Sequence, residues 1–224
     1  MNKVKLTVPN KLSEITLGQY QRFSKIMSKK PDEDFLQKKM VEIFCGVPLS
    51  EVVKFKYKSI VQIVKTLSDM FDNKPKLKEM FKMNGIEFGI IPQLSEMTFG
   101  EFVDLDTYVN DWENMDKAMS VLFRPIKEKF RGRYLINDYT AEEENDFKNM
   151  PLDVALGAVF FLFNLNKELT RNTLSYLQKN LQKSTTQEQL NFPKNMDGSQ
   201  VCTDLLEQIR QDLKQLKSST LEHV

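Results

Sequence analysis

The sequence predicts a mainly α-helical protein carrying a small β-hairpin or sheet element, and three observations carry that prediction. Helical periodicity runs through most of the 224 residues. Two helix starts use nearly the same words, L-S-E-I-T-L-G-Q-Y from Leu12 and L-S-E-M-T-F-G-E-F from Leu94. Strand-like alternation is confined to short stretches, one of them beside Asn84-Gly85, the favoured dipeptide for a two-residue hairpin turn.

At the N-terminus Val4, Leu6 and Val8 alternate with Lys5 and Thr7 and stop at Pro9, the pattern of a half-buried strand. Thr16 then stands as an N-cap with Gln19 three residues on, a capping box, and Ile15 and Tyr20 hold the positions of a hydrophobic staple. A second helix is written in KKMVEIFCGVP (Lys38 to Pro48) and a third in YKSIVQIVKTLSDMF (Tyr57 to Phe71). After the hairpin turn the order repeats. Ile86, Phe88 and Ile90 alternate and run into Pro92; Thr98 and Glu101 form the box; Met97 and Phe102 form the staple.

A helix over Glu101 to Leu122 is expected to bury Phe102, Leu105, Trp112, Met115, Met119 and Leu122. DKAMSVLFRPI (Asp116 to Ile126) parallels the second helix, and MPLDVALGAVFFLFNL (Met150 to Leu165) the third. One reading is a diverged tandem pseudo-repeat of strand, Pro turn and three helices, dividing the chain into 1–80 and 81–182. The other is that two common helix-start signatures recur by chance. On the first reading the hairpin strands are joined by the N-terminal strand, and the halves pack around the Val154–Leu165 helix.

Thr140 and Glu143 make a third capping-box pattern, opening a short helix through Lys148, and Pro151 suits a first helical position. VALGAVFFLFNL is apolar on nearly every face, so its helix is expected to be buried all round. A second reading leaves Phe160, Phe161 and Phe163 to be covered by another subunit. Lys167 to Lys183 continues as a more polar helix striped by Leu169, Leu174, Leu177 and Leu181. Residues 183–200 lose periodicity and read as a linker. Residues 201–224 then hold a tethered amphipathic helix whose stripe is Val201, Leu205, Ile209, Leu213 and Leu216. That stripe docks either on its own domain or in a partner's groove.

Raw material for catalysis is thin. His223 is the only histidine, and neither G-x-x-x-x-G-K-[ST] nor G-x-G-x-x-G occurs. No catalytic, cofactor-binding or metal-ligating residue is assigned. Cys45 and Cys202 form no disulfide framework, and Cys45 lies in an apolar run that reads as core. The N-terminus lacks the apolar block of a signal peptide, and no apolar stretch approaches the ~20 residues a bilayer needs, so a cytosolic protein is expected. With 32 basic and 31 acidic residues the chain lacks the surplus typical of a nucleic-acid binder. One basic cluster stands out: Arg124, Lys127, Lys129, Arg131 and Arg133, with Phe130 and Tyr134 among them. The first reading is a solvated loop, or pairing with the acids of the preceding helix, Glu101, Asp104, Asp106, Asp111, Glu113 and Asp116. A protein contact and a nucleic-acid contact follow.

Several words of the second half belong together: IIP (Ile90 to Pro92), MTFGEFVDLD (Met97 to Asp106), KAMSVLFRPI (Lys117 to Ile126), an extended GRYLINDY (Gly132 to Tyr139) and MPLDVALGAVFF (Met150 to Phe161). In that order they resemble a group of helical structural and assembly proteins of tailed bacteriophages, including crAss-like phages. The Asp197-Gly198 turn before the last helix is similar too. The resemblance covers residues 85–165 and touches the N-terminal third poorly. It implies a phage-encoded, mainly helical protein without enzymatic activity, made with the virion components in the host cytoplasm and either kept in the particle or not. Such proteins are often labelled tail assembly chaperone or virion structural protein. It further implies other virion proteins as partners, with a second copy of the chain among the candidates, no cofactor and no membrane. None of its words is a catalytic signature, and no functional residue is carried over from it. The alternative function is a nucleic-acid-associated phage protein using the basic segment 124–133.

Overall fold

The computed structural model describes residues 6–140 and 146–187. The chain divides into two compact units, Met1–Phe161 and Leu162–Val224.

The first unit opens with a 3-10 turn, Leu12–Glu14, that leads to α1 (Leu17–Met27). Both arms of the capping box are made. The Gln19 amide donates to Thr16 Oγ1 at 3.2 Å, and the Thr16 amide donates to Gln19 Oε1 at 2.9 Å. α2 (Glu33–Cys45) is capped by Asp32 and ends at Gly46, whose φ of 65° is the left-handed conformation that glycine supplies at a helix end. A single turn, α3 (Leu49–Val52), leads to α4 (Tyr57–Phe71). Ile60, Ile63, Leu67 and Met70 recur at spacings of three and four and are all buried.

The hairpin follows as expected: β1 (Met80–Met83) and β2 (Ile86–Ile90), with Asn84 and Gly85 at φ 51° and 80°. The second L-S-E is again a 3-10 turn, Leu94–Glu96, and Thr98 and Glu101 again complete a capping box, now opening α5 (Phe99–Tyr108). The single helix expected over Glu101 to Leu122 is interrupted. α5 stops at Tyr108, a 3-10 turn covers Trp112–Asn114, and α6 spans Met115–Leu122. Asp111 accounts for the break, because its side chain caps the new start by accepting from the Glu113 amide at 2.9 Å.

The sheet differs from expectation. Residues 6–10 form no strand, and Val4 lies outside the described residues. The hairpin is joined instead by β3 (Phe123–Phe130) and β4 (Arg133–Ile136), giving a four-stranded antiparallel sheet of order β1-β2-β3-β4. The segment expected as a solvated loop is therefore a strand, with a bulge between Ile126 and Glu128. Its turn is Arg131-Gly132 at φ 47° and 81°, the same backbone as Asn84-Gly85. Pro125 donates no ladder bond, yet its carbonyl accepts from the Asn137 amide at 3.0 Å.

A 3-10 turn, Phe147–Asn149, precedes α7 (Leu152–Gln187). Of the short helix expected from Thr140 through Lys148, residues 141–145, with Glu143 of the third box, lie outside the described residues, and Phe147–Asn149 is that turn. In the first unit α7 is buried at Leu152, Val154, Ala155, Leu156 and Ala158, and half-buried at Phe160 and Phe161. Complete burial thus covers the first two turns rather than the whole apolar run. Gly157 is where the loop before β1 crosses the helix: a Cβ there would stand 2.5 Å from the Lys76 carbonyl oxygen.

The first compact unit runs across residue 80, and contacts within it join the two stretches that carry the echo. Thr16 and Pro151 form an antiparallel bridge; the Leu17 amide donates to Met150 O at 2.8 Å and the Leu152 amide to Ile15 O at 2.9 Å. Tyr20 of α1 meets Trp112 edge-on at 4.9 Å between ring centroids, and Phe71, Phe44 and Phe23 extend the cluster. A second cluster, Phe81, Phe88, Phe123 and Phe147, ties the sheet to the turn before α7. In the second unit, the described part is the remainder of α7, which continues to Gln187 and so takes in the first five residues of the stretch expected as a linker.

Candidate interaction surface

The basic cluster is split by burial. Arg124, at the start of β3, is 8% exposed and pairs with Glu101 at 2.6 Å. Burial then falls off along β3 on both faces, from Phe123 and Arg124 to Phe130, and Lys127, Lys129, Arg131 and Arg133 are all exposed. Lys129 is paired with Glu87 at 2.8 Å, and this contact holds the Glu87 carboxyl below the usual carboxylate range. Arg131 lies over the Phe130 ring at 5.0 Å, and Phe130 itself is 68% exposed. Lys127, Arg131 and Arg133 make no ion pair among the described residues. The β3–β4 hairpin is thus an arm with a cationic, aromatic tip.

The arm's base is fixed. Glu101 Oε2 accepts from the Thr98 amide at 2.6 Å, and Oε1 holds Arg124, so one carboxylate ties the start of α5 to β3. Tyr139 donates to Asp104 Oδ2 at 2.7 Å; burial, then this bond, push the phenol pKa up. Tyr134 crosses the sheet and donates to Ile90 O at 2.9 Å, in space that a Cβ on Gly89 would occupy.

α5 carries the feature that residue patterns alone did not reveal. Phe99, Phe102 and Val103 are 83%, 59% and 42% exposed. Phe102 was expected in the core. In the first echo the matching positions, Leu17 and Tyr20, are buried. The signal was present: Phe99, Phe102, Val103 and Asp106 share one face at spacings of three and four, while Glu101 and Leu105 are buried on the other. The inward face is packed, and the apolar stripe is left on the outward one.

Phe160, Phe161 and Phe163 are each half-buried. Leu205, Ile209, Leu213 and Leu216 lie outside the described residues, as do the side chains of Leu169, Leu177 and Leu181; Leu174 is half-buried. Trp112, expected in the core, is half-buried and meets the Tyr20 ring. Cys45 is half-buried too, and burial pushes its thiol pKa up to about 11. An open groove between α1 and the end of α2 is lined by Arg22, Lys25, Lys39 and Glu42 among others. Among the described residues no three His, Cys, Asp or Glu side chains converge as metal ligands, and no helix is long and apolar enough to cross a membrane. Compared with protein-family models, curated proteins and solved structures, the chain matches none.

Proposed function

We propose that this chain is a non-enzymatic protein–protein interaction protein of tailed-phage virion assembly, either a component of the particle (head, portal, tail or packaged protein) or an assembly chaperone. The observation that carries the interaction role is the outward face of α5. Two phenylalanines and a valine stand in solvent on a helix whose opposite side is already packed. Burying two such rings yields about 1.5–3 kcal/mol each, and large exposed apolar patches mark interaction sites. The phage context rests on the resemblance over residues 85–165.

The two capped segments, each entered through a 3-10 L-S-E turn, are read as traces of a tandem duplication. Superposing Leu12–Phe71 on Leu94–Phe161 tests that reading, and unrelated helix directions would end it. The nucleic-acid alternative loses Arg124 to its buried pair and keeps Lys127, Arg131 and Arg133 on a chain of net charge +1.

Mass spectrometry of purified particles and of assembly intermediates tests the main reading. The protein is expected in one or both fractions, and absence from both would overturn it. A filter-binding titration at low salt is the companion test. Tight binding that weakens steeply with salt would transfer the proposal to nucleic acid.

A further inference from the structure

We propose that the tip of the β3–β4 arm of one copy docks on the outward face of α5 of a second copy, head to tail. This inference shares the outward face of α5 with the proposed interaction role and does not rest on the phage context.

They are complementary. From Glu96 to Asp106 the sequence has four carboxylates and no base. Glu101 is neutralised internally by Arg124 and Asp104 accepts from Tyr139, whereas Glu96 and Asp106 are exposed and form no ion pair among the described residues. Asp106 lies on the same face as Phe99, Phe102 and Val103, one turn along, and Glu96 lies just before the helix. The arm offers the reverse. Lys127, Arg131 and Arg133 are exposed and form no ion pair among the described residues, with Phe130 at the tip and Leu135 exposed at 61%. An apolar patch with an acidic border thus faces an apolar tip with a basic border, which is the arrangement that guides and orients association.

The two surfaces do not satisfy each other within one molecule, because Phe99 and Phe130 are both largely exposed. The strand accounts for this. Arg124 is pinned beside the start of α5, and six residues of strand at about 3.3 Å each carry Phe130 about 20 Å along the arm. A contact that joins different patches of identical chains is heterologous, so it propagates into a closed ring or an open filament rather than stopping at a symmetric dimer.

Sedimentation velocity on the full-length chain, in ~50 mM and ~500 mM salt, tests this. Association is expected at low salt, weakening at least tenfold at high salt. Two variants decide the geometry: an arm variant (Lys127→Glu, Arg131→Glu, Arg133→Glu) and a face variant (Phe99→Ser, Phe102→Ser). Each alone is expected to remain monomeric. An equimolar mixture is expected to form a dimer and stop there, because only one intact arm meets one intact face. If the face variant proves misfolded by circular dichroism, Asp106→Lys takes its place. A wild-type chain that stays monomeric at ~100 μM in low salt overturns the proposal. So does association that persists in both variants, as a contact through residues 201–216 would give, or a mixture that fails to dimerise. If the arm variant loses nucleic-acid retention while the wild type stays monomeric, the tip belongs to nucleic acid and the proposal falls.

Discussion

Glu101 uses both of its carboxylate oxygens, one to close the start of α5 and one to hold Arg124 beneath the sheet. The pair is nearly out of solvent, so removing one partner strands a charge. Arg124→Met is expected to cost about 3–5 kcal/mol in urea unfolding. Adding Glu101→Gln, which keeps an acceptor for Thr98, should return a large part of that loss; equal costs for single and double variants would show that charge is not the reason. Gly89 is fixed by a neighbour, since Tyr134 fills the space where a Cβ would stand. Gly89→Ala should therefore destabilise by about 1–3 kcal/mol.

Cys45 makes a pH prediction. Its thiol titrates at about 11 in the fold and near 9 when unfolded, so the folded chain holds its proton longer. Between those values the unfolded state binds fewer protons, and stability falls as pH rises from 9 through 11. Below pH 9 the contribution is constant. Burial raises the Tyr20 and Tyr134 phenols as well, which adds to the loss at the alkaline end. Cys45→Ala should flatten the decline in Tm between pH 9 and 11, as measured by differential scanning calorimetry.

At the scale of elements, the helix starts were legible because a capping box is local chemistry: four consecutive residues contain both partners of both bonds. Thr16→Ala and Thr98→Ala should each cost ~1 kcal/mol, read by thermal melts. Asn84-Gly85 was legible for the same reason, while Arg131-Gly132 was not. Arginine enters the left-handed region reluctantly, so its turn is set by the strands on either side rather than announced by the dipeptide. With that turn unseen, the alternation of Ile126, Glu128 and Phe130 against Lys127 and Lys129 read as a charged loop. The N-terminal alternation erred the other way. Leu6 to Pro9 has a strand's pattern and forms no strand, and the sheet is built from β1 to β4 alone. Periodicity states which side chains share a face; it does not supply the neighbouring strand that pairing requires.

At the scale of the molecule, the contacts that join the two echoed stretches were not legible in the local pattern, since they link residues far apart in the chain. Ile15 to Leu17 lie against Met150 to Leu152, and Tyr20 packs on Trp112. The outward face of α5 was missed for a related reason: Phe102 has the pattern of a core residue, and which face of the helix finds a neighbour is decided elsewhere in the chain. Trp112, the single tryptophan, reports on the junction directly. In urea, its fluorescence and the far-ultraviolet circular dichroism of residues 6–161 should change together, as a two-state unit requires. Separated transitions would mean that the halves fold independently.

The pairing of residues 15–17 with 150–152 also sets an order of events on the ribosome. Elongation at about 5–20 residues per second leaves the first capped helix waiting on the order of ten seconds for its strand-like neighbour to emerge. Throughout that interval the Leu17 amide and the Ile15 carbonyl lack the partners that Met150 and Leu152 later supply, which leaves an open backbone edge on the nascent chain.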